Sequence, residues 1–129
     1  MATDLAHVQT SGFTNIGTTV ETVVLTTPIV ATGTFRAIVS AHINTGTGTG
    51  ATALTIRIRQ GNGTGGAIVI AETVNVTAGN TVTLATSWED DSGILDTGAG
   101  GQYTLTLQQT AATANATVQS ADLLVQIPN

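Results

Sequence analysis

Glu89, Asp90, Asp91 and Asp96 place half of the chain's 8 carboxylates in one short stretch. Hard cations such as Ca²⁺ are held by several carboxylate and carbonyl oxygens. The spacing departs from an EF-hand loop, because Asp90 and Asp91 are adjacent and no Glu closes the set. The stretch reads as a solvated loop tip, with these four residues as the candidates for a weak or interfacial Ca²⁺ site. No resident metal and no cofactor are expected. His7 and His42 are the only imidazoles. A hydrolytic triad needs Ser, His and a carboxylate converging beside an oxyanion hole. No GxSxG or HExxH motif occurs, and Ser87 beside Trp88 has no motif around it. No catalytic residue is therefore nominated, and the chain is read as a non-enzyme.

Gly61, Gly63 and Gly66 formally spell GxGxxG. A dinucleotide loop must be followed by a helix whose N-terminus receives the phosphate. Here Ala67 to Ile70 follows, a strand pattern, so the glycines read as a hairpin loop. A Walker loop needs a Lys, and the chain has none. Trp88 and Tyr103 could form a sugar-stacking platform. Trp88 falls in phase with Val82 and Leu84, which points to core or interface instead. Arg57 and Arg59 stand two apart, hence on one face of a strand. They are expected to meet a carboxylate across a subunit boundary or to be exposed. The sequons at Asn62, Asn75 and Asn115 are what a Thr-rich chain yields by chance.

The elements that position these residues follow from composition. The 129 residues suit one compact domain, and with no Cys there is neither a disulfide framework nor a thiolate metal site. Arg36, Arg57 and Arg59 are the only cations, and the formal charge is −5. So few cations cannot neutralise a run of phosphates or an anionic membrane surface. Neither nucleic acid nor membrane is expected as a partner. Charged residues make up 9%, against a usual share of about 25%. Apolar residues reach 41%, which excludes a disordered acidic tail. Thr alone accounts for 27 residues, with 12 Val and 10 Ile. Such β-branched side chains fit a pleated, half-buried surface. Thr stands where Lys and Glu usually face solvent, and a Thr face also tolerates burial against another subunit. No basic start followed by an apolar run is seen, so synthesis without a signal peptide is expected.

Residues 1–17 are weakly patterned and read as an N-terminal arm with at most a short strand. Residues 18–129 read as a single domain. Strand signals cover 18–26, 34–44, 53–60, 67–76, 81–88, 102–109 and 117–127. In the second, Phe35, Ala37, Val39, Ala41 and Ile43 point one way, while Arg36, Ile38, Ser40 and His42 point the other. In the third, Leu54, Ile56 and Ile58 point inward, and Thr55, Arg57 and Arg59 outward. A break is expected near Ala71-Glu72. The longest polar loop is expected over 89–101. The apolar phase of the last strand shifts between Val118 and Leu123, which predicts a bulge near Ser120-Ala121. About eight strands, no helix and turn signals at regular spacing predict an all-β antiparallel β-sandwich of jelly-roll type.

The segment Thr34 to Ile127, about three quarters of the chain, resembles the small jelly-roll capsid decoration, or cement, proteins of tailed bacteriophages. The resemblance lies in Leu54 to Arg59, the glycine hairpin Gly61 to Gly66, the strands Val74 to Trp88 turning at Ala78-Gly79-Asn80, and Gly101 to Leu107. The last element also looks like the Gly-x-Tyr strand of tumour-necrosis-factor and C1q-like jelly rolls, which form homotrimers. The resemblance implies a virion structural protein, a homotrimer seated on the exterior of a capsid. Its partners would be itself and the major capsid protein. It further implies that residues 1–17 dock to the shell, and that Tyr103, Leu105 and Leu107 lie near the threefold axis. The alternative is a phage tail, fibre or cell-surface module that binds a glycan, with an exposed aromatic and the acidic loop as its Ca²⁺ site.

Overall fold

A computed structural model describes residues 3–10, 14–15, 21–28, 35–45, 52–76, 81–90, 102–109 and 117–127. Nine strands run through them: β1 (Thr3–Thr10), β2 (Thr14–Asn15), β3 (Thr22–Thr26), β4 (Phe35–Thr45), β5 (Thr52–Gln60), β6 (Ile68–Val76), β7 (Thr81–Asp90), β8 (Tyr103–Gln109) and β9 (Thr117–Ile127). All pairings are antiparallel. One sheet has the order β1-β9-β4-β7, with the short β2 added on β9. The other has the order β3-β8-β5-β6. Only β5 and β6 are sequential neighbours within one of these orders, so the other long strands connect across the sandwich. This interleaving is the jelly roll.

The alternation of side chains decides where the core lies. Val39, Ala41, Ile43, Leu84, Ala121, Leu123 and Val125 come from the first sheet, and Leu54, Ile56, Ile58, Val76, Tyr103, Leu105 and Leu107 from the second. They close into one buried cluster between the sheets. Complete burial of an aliphatic side chain stabilises the fold by about 1.5–3 kcal/mol.

Several expectations shift by a few residues. The segment 1–17 is no free arm in its described parts, because β1 and β2 both pair with β9. It supplies the eighth long strand that the sandwich needs. The irregularity expected near Ala71-Glu72 sits earlier: Ile58 pairs with Ile70 and Arg59 with Ile68, which leaves Val69 as the extra residue. The bulge in β9 falls at Gln119, since Asn44 pairs with Ser120 and Thr45 with Val118. The glycine hairpin is present as expected, and Gly61 and Gly63 take φ of 94° and 93°, a region that favours glycine. Gly66 is required by proximity, for a Cβ there would run into the carbonyl oxygen of Gln60.

Candidate assembly face

The two sheets turn very different outer faces away from the core. On the four-stranded sheet, β5 presents Thr55, Arg57 and Arg59, and β8 presents Thr104, Thr106 and Gln108. Glu21, just before β3, reaches over them. Arg59 grips its carboxylate with two hydrogen bonds, Nε to Oε2 at 2.7 Å and Nη2 to Oε1 at 2.9 Å. The third guanidinium nitrogen, Nη1, donates to the Gly66 carbonyl at 2.8 Å. Thr106 donates its hydroxyl to the same carboxylate. Arg57 lies 3.6 Å from Glu21 and donates to Gln108 Oε1 at 2.7 Å. A bidentate Arg–carboxylate pair fixes geometry as well as contributing energy. The hydrogen bond from Arg59 is the largest influence on Glu21 and holds its carboxyl below the ordinary 4.5, against the upward push of burial. Arg59 is raised in turn, chiefly by the same hydrogen bond.

Beside this cluster the glycine hairpin folds onto the face. Thr104 donates to the Gly61 carbonyl at 2.7 Å and accepts from the Gly63 amide at 3.2 Å. Thr104 and Thr106 are fully buried although they point away from the core. Over β5 and β8 this face is covered by its own chain, while Val23 on β3 and Ile68 on β6 stay exposed at its edges. The arginines therefore meet a carboxylate of their own protomer, neither one across a subunit boundary nor open solvent.

The outer face of the five-stranded sheet is organised in rows set by register. One row runs Leu124 (β9), Ser40 (β4) and Ala85 (β7), and the next runs Asp122, His42 and Thr83. Beyond them lie Gln126, Ile38 and Ser87 on one side and Ser120, Asn44 and Thr81 on the other. Ile38 and Leu124 thus form an aliphatic centre with small neighbours. Among the described side chains this face carries no Lys or Arg and one carboxylate, Asp122. That carboxylate is bracketed by both imidazoles, His42 Nδ1 at 3.0 Å and His7 Nε2 at 3.6 Å. It also accepts from the His42 backbone amide at 3.2 Å. A carboxylate only accepts, so it selects the Nδ1–H form of His42. Asn44 ties the next row together, donating to Ser120 Oγ and accepting from Thr81 Oγ1, both at 2.7 Å. His42 does share its face with Ile38 and Ser40, as the alternation predicted. Asp122 orients the ring, and Ser120 on the neighbouring row accepts from Asn44.

The remaining predicted site residues fall elsewhere. Tyr103, Leu105 and Leu107 are 0% exposed in the single protomer. They are core residues with no surface to offer a neighbouring subunit, and Tyr103 cannot stack on a sugar. The alternation that grouped them was the signature of the sandwich interior. Glu89 and Asp90 belong to β7 rather than to a loop, paired in register with Arg36 and Phe35. Asp91, Asp96 and the side chain of Trp88 lie outside the described residues. Among the described residues no group of three or more His, Asp or Glu is arranged to hold a metal ion. None forms a helix long and apolar enough to cross a membrane. The partners that reading along the chain missed are Glu21 and Asp122. Glu21 had one signal, a lone carboxylate inside a Thr/Val run in a chain with three cations. Asp122 had none, for its partners lie 80 and more residues away.

Comparison with known structures finds the same fold in the Eiger tumour necrosis factor of S. frugiperda. The identity is 11%, the TM-score is 0.60, and the match covers 100% of this chain and 92% of that one. Lower geometric similarity links the chain to a subunit of Bacillus endospore appendages, described as disulfide-linked pili. There the identity is 17% and the TM-score 0.48, over 98% of this chain and 89% of that one. Infectious bursal disease virus, strain Gx, matches with 14% identity and a TM-score of 0.47, over 98% of this chain and 32% of that one. At such identities the likeness is one of fold. No protein-family model and no curated protein matches the chain.

Proposed function

We propose that this chain is a viral structural protein, a homotrimeric decoration protein that stabilises a phage capsid from its exterior and assembles through the outer face of the five-stranded sheet. One observation carries the choice of face. In a chain with a formal charge of −5, the described side chains of that face include a single carboxylate and an aliphatic centre at Ile38 and Leu124, with the Arg36–Glu89 pair two register positions beyond Ile38–Ser87. An antiparallel sheet that meets water usually fills its outer face with charged side chains, and a subunit contact is depleted of them at its centre. The opposite face supports the choice by contrast, because its polar groups are satisfied within the protomer.

The threefold stoichiometry and the capsid partner come from the resemblance carried by the strands between Thr34 and Ile127. A rotation that closes a ring of three pairs two different patches of each protomer. A sheet face with an aliphatic centre beside the polar side chains of His7, His42, Asn44 and Thr81 can supply such patches. Sedimentation of Leu124→Arg against the wild-type chain tests this directly. A charge at the centre of the contact should yield monomer with an unchanged far-ultraviolet circular dichroism spectrum. A variant that sediments as the wild type does would overturn the assignment of the face.

A further inference from the structure

We propose that Asn62-Gly63, at the tip of the β5–β6 hairpin, is a site of spontaneous backbone modification, and that the Thr104 hydroxyl sets its rate. The chain has seven Asn, and only Asn62 is followed by Gly. Asn62 is exposed, and a Cβ added at Gly63 would meet nothing within 4 Å, so no neighbouring atom crowds the Gly63 α-carbon. Loss of the amide proton makes that nitrogen a nucleophile towards the Asn62 side-chain carbonyl. The N–Cγ bond forms, the Cγ–Nδ2 bond breaks and ammonia leaves, giving a five-membered succinimide. Water then opens the ring. Attack at Cγ gives aspartate, and attack at the main-chain carbonyl gives isoaspartate, which inserts a methylene into the backbone. Either product takes the formal charge from −5 to −6.

The fold opposes the first step at one atom. The Gly63 amide donates its proton to Thr104 Oγ1 at 3.2 Å. That hydroxyl is free to accept because its own proton goes to the Gly61 carbonyl at 2.7 Å. Thr104 is itself fixed by burial, so the hairpin must open locally before the nitrogen can turn to attack. Reaction in the native chain therefore runs through a minority of open conformations.

Peptide mapping by mass spectrometry after incubation at pH 8 tests the proposal. The gain of about one mass unit (one NH replaced by O) should appear at Asn62, as aspartate and isoaspartate, with the other six Asn unchanged. The urea-unfolded chain should react faster at Asn62 than the folded chain. Thr104→Val should speed the folded reaction about fivefold, the equivalent of one net hydrogen bond, and Thr104→Ser should restore the slow rate. Modification led by another Asn would overturn the site. Equal rates in folded and unfolded chains would overturn the role of Thr104, even if the Val variant does not fold.

Discussion

Glu21 is the residue whose removal reveals most about the protomer. Its carboxylate ties the approach to β3 to Arg59, Arg57 and Thr106, with only 15% of its side chain exposed. Glu21→Gln should cost about 2 kcal/mol at pH 7, because a charge-assisted pair is lost and Arg59 is left without its counter-charge. Urea denaturation would measure it. The pH dependence has a definite sign. Arg59 holds the folded carboxyl below the ordinary 4.5, so the unfolded chain takes up the proton first as pH falls. The contribution is complete above about pH 4.5 and disappears as pH drops through the folded value. The wild type should lose stability between pH 5 and pH 3 more steeply than Glu21→Gln, and equal slopes would show that another carboxyl governs the acid limb. Leu105 belongs to the same scale. As a core residue, Leu105→Ala should cost about 2–5 kcal/mol. The loss should not depend on protein concentration, whereas a subunit contact would make it do so.

The β5–β6 hairpin concentrates what an element owes to its turn. Gly66→Ala places a Cβ against the Gln60 carbonyl, and the turn must deform to admit it. A loss above about 2 kcal/mol is expected. Gly65→Ala meets nothing within 4 Å and should stay within about 0.5 kcal/mol of the wild type. Thermal melts of the two variants side by side give the comparison, and equal losses would argue against the close approach. Elements such as β4, β5, β7 and β8 were legible in the sequence because one face of each is buried, and strict alternation follows from that. The phase shift in β9 was legible for the same reason, to within one or two residues. What alternation cannot carry is the state of the opposite face. Thr104 and Thr106 alternate as solvent-facing residues do, yet Glu21 and the glycine hairpin cover them. β1 was hidden because its pairing partner, β9, lies at the other end of the chain. The His7–Asp122–His42 cluster was hidden likewise, since three strands must assemble before it exists.

At the scale of the whole molecule, the jelly roll provides two outer faces and the chain treats them differently. One is closed over its central strands by the protomer's own ion pairs. The other carries one carboxylate among its described side chains and has an aliphatic centre, in a molecule whose formal charge of −5 opposes the approach of copies. Under the proposed self-association, Asp122 is the one carboxylate among the described side chains of the contact, and it is bracketed by His7 and His42. Because the contact gains little from charge pairs, it should be insensitive to salt. Native mass spectrometry of the purified chain at micromolar concentration, from low and from high salt, tests this most directly. A trimer that survives high salt is the predicted result. A monomer under both conditions would contradict it.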